Sequence, residues 1–183
     1  VIIGLAGKKQ SGKDTVADYL VEQYGYIKLG FADAVKHMAL VIDPVLPVAH
    51  AKFGGYIYLT MLVTELGWEE AKKIPAVRKF LQTLGTEAGR NILGEDVWVN
   101  ALLKYVEEYD LRDVVIKDVR YSNEARVCNF TVHIVRDGTD DGDTHSSEII
   151  DFESNAVINN NSTLADLYKE VDRLMGIIEH ATE

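Results

Sequence analysis

The stretch Gly7-Lys8-Lys9-Gln10-Ser11-Gly12-Lys13-Asp14-Thr15 follows directly on the apolar run Val1-Ile2-Ile3-Gly4-Leu5-Ala6. No other feature restricts the chain as much. It reads as a buried strand, a phosphate-binding loop and a helix in succession. The spacing Gly-x-x-x-x-Gly-Lys has a physical purpose. The glycines let backbone N–H groups turn inward, the lysine reaches the β- and γ-phosphates, and the helix presents its positive N-terminal end. The flanking strand and helix signals favour this reading over a chance glycine-rich turn, so the motif points to a nucleoside triphosphate. Asp14 stands where a Ser or Thr usually binds Mg²⁺, with Thr15 one residue later. A carboxylate can hold Mg²⁺ directly or through water, because hard cations favour oxygen ligands, and Thr15 is placed to bond an α-phosphate.

With 183 residues the chain suits one α/β domain with small inserted pieces and an ordinary core. Its net charge of −10 argues against generic binding to nucleic acid or acidic membranes, which needs clustered Lys and Arg. Phosphate binding must therefore be local. A single cysteine, Cys128, cannot form an internal disulfide, and the apolar start is too short for a signal peptide. Together these features predict a cytoplasmic enzyme. The most apolar region, about 35–63, contains Asp43, Pro44, Pro47, His50 and Lys52, which suits helices around a substrate site better than a membrane span.

Strands are expected at Ile2–Ala6, Tyr26–Leu29, Val114–Lys117, Thr131–Val135 and Ala156–Ile158, with a helix from Lys13 to about Tyr24. Their continuous apolar character suits a five-stranded parallel sheet covered on both faces. Helical spacing recurs in Val77, Leu81, Leu84 and Ala88, in Trp98, Leu102 and Tyr105, and in Leu164, Leu167, Val171, Leu174 and Ile178, all expected in the core. Asn161-Ser162-Thr163 offers a side-chain oxygen to cap the last helix.

Ligands in open α/β sheets gather beyond the C-terminal ends of strands, which gives weight to residues just past each expected strand. After Val114-Val115-Ile116 come Asp118, placed to hold Mg²⁺, and Arg120, placed to clamp a second phosphate. The alternative is a structural ion pair between them, with Asn123 and Glu124 opening a helix. At the end of the second strand, Asp33 and Lys36 are either acceptor-binding groups or a helix cap and a solvated charge. Arg78, Gln82 and Thr86 recur four apart on one helical face that Arg90 extends, and they suit a phosphate and a base edge. Arg136 opens an acidic loop leading to Asp143-Thr144-His145-Ser146-Ser147-Glu148, a lid in which Arg136 could neutralise a transferring phosphoryl group. His145 reads equally as a surface or hinge residue, His133 as a satisfied strand residue and Cys128 as packing. No Cys/His metal cluster and no assignable Ser–His–Asp pattern stands in the sequence.

In order along the chain, GLAGKKQSGKDTVA, FADAVK, RKFLQTLGTEAGR, DVWV, KDVRYSNEA, THSSE and VINNNSTLADLY resemble the deoxynucleoside monophosphate kinases of bacteriophages. The resemblance spans nearly the whole chain. It implies a three-layer P-loop kinase fold, a single domain over 1–183 with an acceptor-binding helical insertion at about 32–108 and a lid-like loop at about 136–150. It also implies transfer of the ATP γ-phosphoryl group to a deoxynucleoside monophosphate with Mg²⁺, in the host cytoplasm if the chain is phage-encoded, with a homodimer as one option. On this reading Gly7, Ser11, Gly12, Lys13, Asp14 and Thr15 hold the donor phosphates, Asp14 and Asp118 the metal, and the backbone of Asn160 the adenine. Lys13, Arg120 and Arg136 stabilise the transition state. Asp33, Lys36, Arg78, Gln82, Glu87, Arg90 and Asp118 surround the monophosphate. The lid departs in composition from the Arg-rich lids of adenylate kinase relatives. Two other readings fit the loop: a kinase of dephospho-coenzyme A or phosphomevalonate, and a nucleotide-gated regulator, although no guanine-reading Asn-Lys-x-Asp sequence follows a strand.

Overall fold

The computed structural model describes residues 1–49, 54–138 and 150–182. These fall into two compact units, one made of Val1–Phe31 with Leu103–Glu183 and the other of Ala32–Leu102. Most of the expected lid, including Thr144 to Glu148 with His145, lies outside the described residues, as do His50 and Lys52.

The first unit is built on a five-stranded parallel sheet of β1 (Ile2–Ala6), β2 (Ile27–Leu29), β5 (Val114–Ile116), β6 (Phe130–Val135) and β7 (Ala156–Asn159), in the order β2-β5-β1-β6-β7. Helices flank it, giving the expected α/β class. Ile3 and Leu5 of β1 are fully buried and meet Val16 and Leu20 of α1 (Lys13–Tyr24) and Leu167, Val171, Leu174 and Ile178 of α7 (Leu164–Thr182). Each such side chain is worth about 1.5–3 kcal/mol of transfer free energy, so β1 is held firmly at the centre. The chain runs from β1 outward past the place later filled by β5, then returns to the other side of β1 with β6. That reversal leaves the C-terminal end of β1 at a topological switch point, the preferred position of a ligand in such sheets.

Two polar clamps set the helices that meet the sheet. The hydroxyls of Tyr19 and Tyr24 on α1 both donate to Asp172 on α7, at 2.9 and 2.8 Å, and the Tyr19 ring stacks on Tyr168 at 4.0 Å. The cap of α7 falls to Thr163, whose Oγ1 accepts the N–H of Asp166 at 3.2 Å and donates to its carboxylate at 2.7 Å. Side-chain bonds from Ser162, then Thr163 and Lys169, hold the Asp166 carboxyl well below the usual carboxylate range. Tyr105 and Leu164, expected in the core, are 47% and 55% exposed. Tyr105 instead packs on the ring of Tyr109 at 4.6 Å, and Leu164 occupies the first position of its helix, at the exposed end of the apolar stripe.

The second unit has its own core of Ala39, Leu46, Val48, Ile57, Leu59, Leu62, Ala71, Val77 and Leu84. It contains α2 (Phe31–Ile42) from Ala32 onward, an antiparallel hairpin of β3 (Val45–Val48) and β4 (Gly55–Tyr58), α3 (Leu59–Ala71), α4 (Pro75–Gln82), a π-helical segment Thr83–Leu93, and α5 (Val97–Glu108) as far as Leu102. The hairpin corrects the all-helical expectation for about 35–63. Val45, Leu46, Pro47 and Val48 alternate exposed and buried, the period of a strand with one covered face, and Pro47 disfavours a helix interior. The π-helix is a second departure. Its bonds close to the fifth residue rather than the fourth, so the row Arg78-Gln82-Thr86-Arg90 does not run down one α-helical face. Only Arg78 and Gln82 lie on α4.

Trp98 accompanies the altered winding. Its indole Nε1 donates to the Gly85 carbonyl at 2.7 Å, and its ring lies so close to Gly89 that a Cβ there would stand 2.5 Å from Cζ2. An inserted side chain that takes a helical carbonyl is a known cause of local helix distortion. Among the described residues no helix is long and apolar enough to cross a membrane.

Candidate active site

Where β1 ends at Ala6, the chain enters a loop that the neighbouring backbone shapes closely. Gly7 has φ of 143°, and a Cβ there would stand 2.3 Å from the Ile134 carbonyl oxygen and 2.8 Å from Ser11 Oγ. Gly12 has φ of 104°, and its Cβ would meet Asn160 Nδ2 at 2.4 Å. Both positions therefore require glycine on conformational and steric grounds. Gln10, between them, also takes a left-handed conformation, with φ of 63°. The Ser11 N–H donates to Lys8 O at 3.2 Å, and α1 begins immediately with the bond from Val16 N–H to Gly12 O at 3.0 Å.

Three side chains complete the loop. Lys13 Nζ donates to the carbonyls of Gly7 at 2.5 Å and Lys8 at 2.6 Å, so its ammonium lies back across the loop from the first turn of α1. Ser11 is 1% exposed, and its Oγ has no hydrogen-bond partner among the described residues. Such a buried hydroxyl calls for an unseen water or ligand atom. Asp14 is exposed in the first helical turn, and Thr15 is half-buried. A carboxylate there is favoured by the positive end of the helix. His133, paired with Ala6 in the sheet, has its pKa lowered by burial and then by the charge of Lys13.

The adjoining strand ends are tied to this loop. Asn160, just past β7, donates from Nδ2 to Ser11 O at 2.8 Å and from its N–H to Val135 O at 2.7 Å. Asn161 Oδ1 accepts the N–H of Asp137 at 2.7 Å, beside the exposed Arg136. Past β5, Lys117 N–H donates to Leu29 O and Val119 N–H to Leu5 O, while Asp118 Oδ1 accepts the N–H of Phe31 at 2.9 Å. Arg120 follows with an exposed side chain. Its backbone is held by Glu124 of α6 (Ser122–Ala125), a buried carboxylate that residue-type reasoning read only as a helix start. The legible signal was its place three residues after Tyr121, the spacing of a reciprocal helix cap.

The first unit thus gathers Gly7, Ser11, Gly12, Lys13 and Asn160 at the loop, with Asp14 and Thr15 opening α1, Asp118 and Arg120 past β5, and Arg136 past β6. The other expected residues belong to the second unit. There Asp33 and Lys36 pair with each other at 2.9 Å, Arg78 and Gln82 lie exposed on α4, and Glu87 and Arg90 lie on the π-helix, Glu87 exposed and Arg90 half-buried. Among the described residues no group of three or more His, Cys, Asp and Glu could hold a metal by itself. Asp14 and Asp118 carry carboxylates, the oxygen donors that hard cations such as Mg²⁺ take.

Residues 56–171 match the family model described as deoxynucleotide monophosphate kinase. A protein of Acanthamoeba polyphaga mimivirus is 29% identical, with 93% of this chain and 94% of its own length aligned. The deoxynucleotide monophosphate kinase of Escherichia phage RB69 is 25% identical over 95% of this chain and 99% of its own. In structure, the dephospho-CoA kinase from Campylobacter jejuni aligns with all of this chain and 98% of its own, with a TM-score of 0.52 at 11% identity, a likeness of fold.

Proposed function

The chain belongs to the deoxynucleotide monophosphate kinase family, and from that premise we propose that it transfers the γ-phosphoryl group of ATP directly to a deoxynucleoside monophosphate. The observation that carries the ATP half is the loop after β1, with glycines at Gly7 and Gly12 where no other residue fits, an orphan buried hydroxyl on Ser11 and a lysine folded across it. An oxygen of the acceptor phosphate attacks the γ-phosphorus, the bond to the β–γ bridging oxygen breaks, and ADP leaves with that electron pair. No covalent enzyme intermediate is needed, so the protein contributes in-line positioning and positive charge.

Lys13, Arg120 and Arg136 are the cations we assign to the transferring group, while Asp33, Lys36, Arg78, Gln82, Glu87 and Arg90 are assigned to the acceptor. Asn160 stays with the donor side through its bond to the loop. Asp14 and Asp118 would hold Mg²⁺, which would supply charge neutralisation to the donor phosphates. The viral relatives support a reaction in the cytoplasm of a host cell.

The test is ADP release from ATP across deoxyribo- and ribonucleoside monophosphates, dephospho-coenzyme A and phosphomevalonate, with Lys13→Ala in parallel. Turnover with deoxynucleoside monophosphates, lowered roughly 10²–10³-fold in folded Lys13→Ala, is expected. Turnover confined to dephospho-coenzyme A or phosphomevalonate, or ATP binding without turnover, overturns the reading.

A further inference from the structure

We propose that Glu124 is a positioning residue for phosphoryl transfer, acting through Arg120 by fixing the main chain from which that arginine projects. The inference rests on the kinase reading above and on the role assigned there to Arg120.

Glu124 is 3% exposed, and one carboxylate oxygen, Oε2, accepts the N–H of Arg120 at 2.8 Å and of Tyr121 at 3.2 Å. Burying a carboxylate is costly unless hydrogen bonds compensate it. Capping a four-residue helix is a small return for that burial, since a helix cap contributes about 1 kcal/mol. The larger consequence lies in the turn it closes. Lys117 N–H bonds Leu29 O of β2, Val119 N–H bonds Leu5 O of β1, and Arg120 and Tyr121 N–H bond Glu124. Phe31 N–H meanwhile bonds the side chain of Asp118.

The turn is thereby pinned to the strand that carries the phosphate loop, two residues before Gly7. Val119 is buried at 2% exposure, so its side chain anchors the turn inward, while Arg120, the next residue, stands exposed between that anchor and the Glu124 tether. An arginine that must meet charge developing on a phosphoryl group is most effective when its main chain needs no reorganisation. Removing the tether leaves the guanidinium present and its origin loose. The loss should therefore appear in turnover and should depend on Arg120 being there.

The experiment is a double-mutant cycle of Glu124→Ala and Arg120→Ala on the full chain, with Glu124→Gln as a shape-conserving variant that keeps an oxygen for the two N–H groups and loses the charge. Turnover, KM for the monophosphate, ATP affinity by calorimetry and thermal unfolding are read for each. Arg120→Ala and Glu124→Ala should each lower kcat about 10²-fold, and Glu124→Gln about tenfold. On the Arg120→Ala background either Glu124 change should lower kcat less than about twofold further, the non-additivity of groups acting as a unit. ATP affinity should stay within about twofold throughout. If Glu124→Ala does not fold, Glu124→Gln carries the same cycle. Wild-type kcat in a folded Glu124 variant, losses that multiply with Arg120→Ala, or wild-type kcat in Arg120→Ala would each overturn the proposal while the kinase reading stands. Absence of turnover by the unmodified protein with every monophosphate would instead remove the kinase reading.

Discussion

The side-chain amide of Asn160 donates to the main-chain carbonyl of Ser11 at 2.8 Å, across 149 positions of sequence. The bond joins the end of β7 to the middle of the loop after β1, and the same residue's N–H donates to the Val135 carbonyl. Asn160 thus bonds the loop through its side chain, whereas its sequence suggested either a backbone contact to a base or a helix cap.

Replacing Asn160 with Ala should leave the sheet intact and loosen the loop. A neutral hydrogen bond contributes about 1 kcal/mol, so ATP affinity should fall roughly fivefold with thermal stability nearly unchanged. Calorimetric titration with ATP checks this, and unaltered affinity would show that the bond does not shape the site.

Arg78 and Arg90 are assigned to the acceptor, so their loss should act on the monophosphate alone. Arg78→Ala or Arg90→Ala should raise monophosphate KM or lower kcat about tenfold while ATP affinity stays within about twofold. Steady-state kinetics with both substrates varied separate the two effects. Wild-type monophosphate kinetics in both variants would return these side chains to ordinary solvated surface.

Gly89 stands against the ring of Trp98, and an added methyl would lie 2.5 Å from Cζ2. Ring and π-helix cannot both keep their places, and overpacking of this kind typically costs about 1–3 kcal/mol. Gly89→Ala should therefore unfold at lower urea concentration and shift the Trp98 emission, whereas a stability equal to wild type would contradict the packing described.

Alkaline stability carries a definite sign. Tyr24 is pushed up from 10.0 to about 12 by burial and by its bond to Asp172, so the folded state holds the proton more tightly than the unfolded one. That contribution is complete below pH about 10 and is lost as pH rises from there through about 12. Tyr24→Phe should flatten this decline in a pH series of unfolding curves. Cys128 behaves likewise: burial, then the charge of Glu124, pushes its thiol up to about 12. At pH 8 a thiol reagent should label it far more slowly in the native protein than in denaturant, because the thiolate is the reacting form. Equal rates would contradict the burial.

The glycine spacing of Gly7 and Gly12 and the apolar runs of β1, β5 and β6 were legible because each is a pattern of consecutive residues, whereas the contacts that enforce the two glycines come from Ile134 and Asn160. Spacing alone announces a left-handed turn, a buried strand or an apolar helical stripe. Glu124 shows the limit of that legibility. Its cap-like position can be read from three residues, but whether its carboxylate is buried, and beneath which side chain, depends on strands that arrive from far along the chain.

What the sequence determined by itself was therefore local: a strand, loop and helix in succession, the five parallel strands, and the motifs that mark the family. Tertiary structure decided that β5 slots between β2 and β1, that about 35–63 includes a hairpin, and that Thr83–Leu93 winds as a π-helix against Trp98. The physical reason is that strand order, hairpin pairing and an inserted indole are settled by competition among distant apolar faces and unsatisfied backbone groups, and no window of sequence contains both competitors.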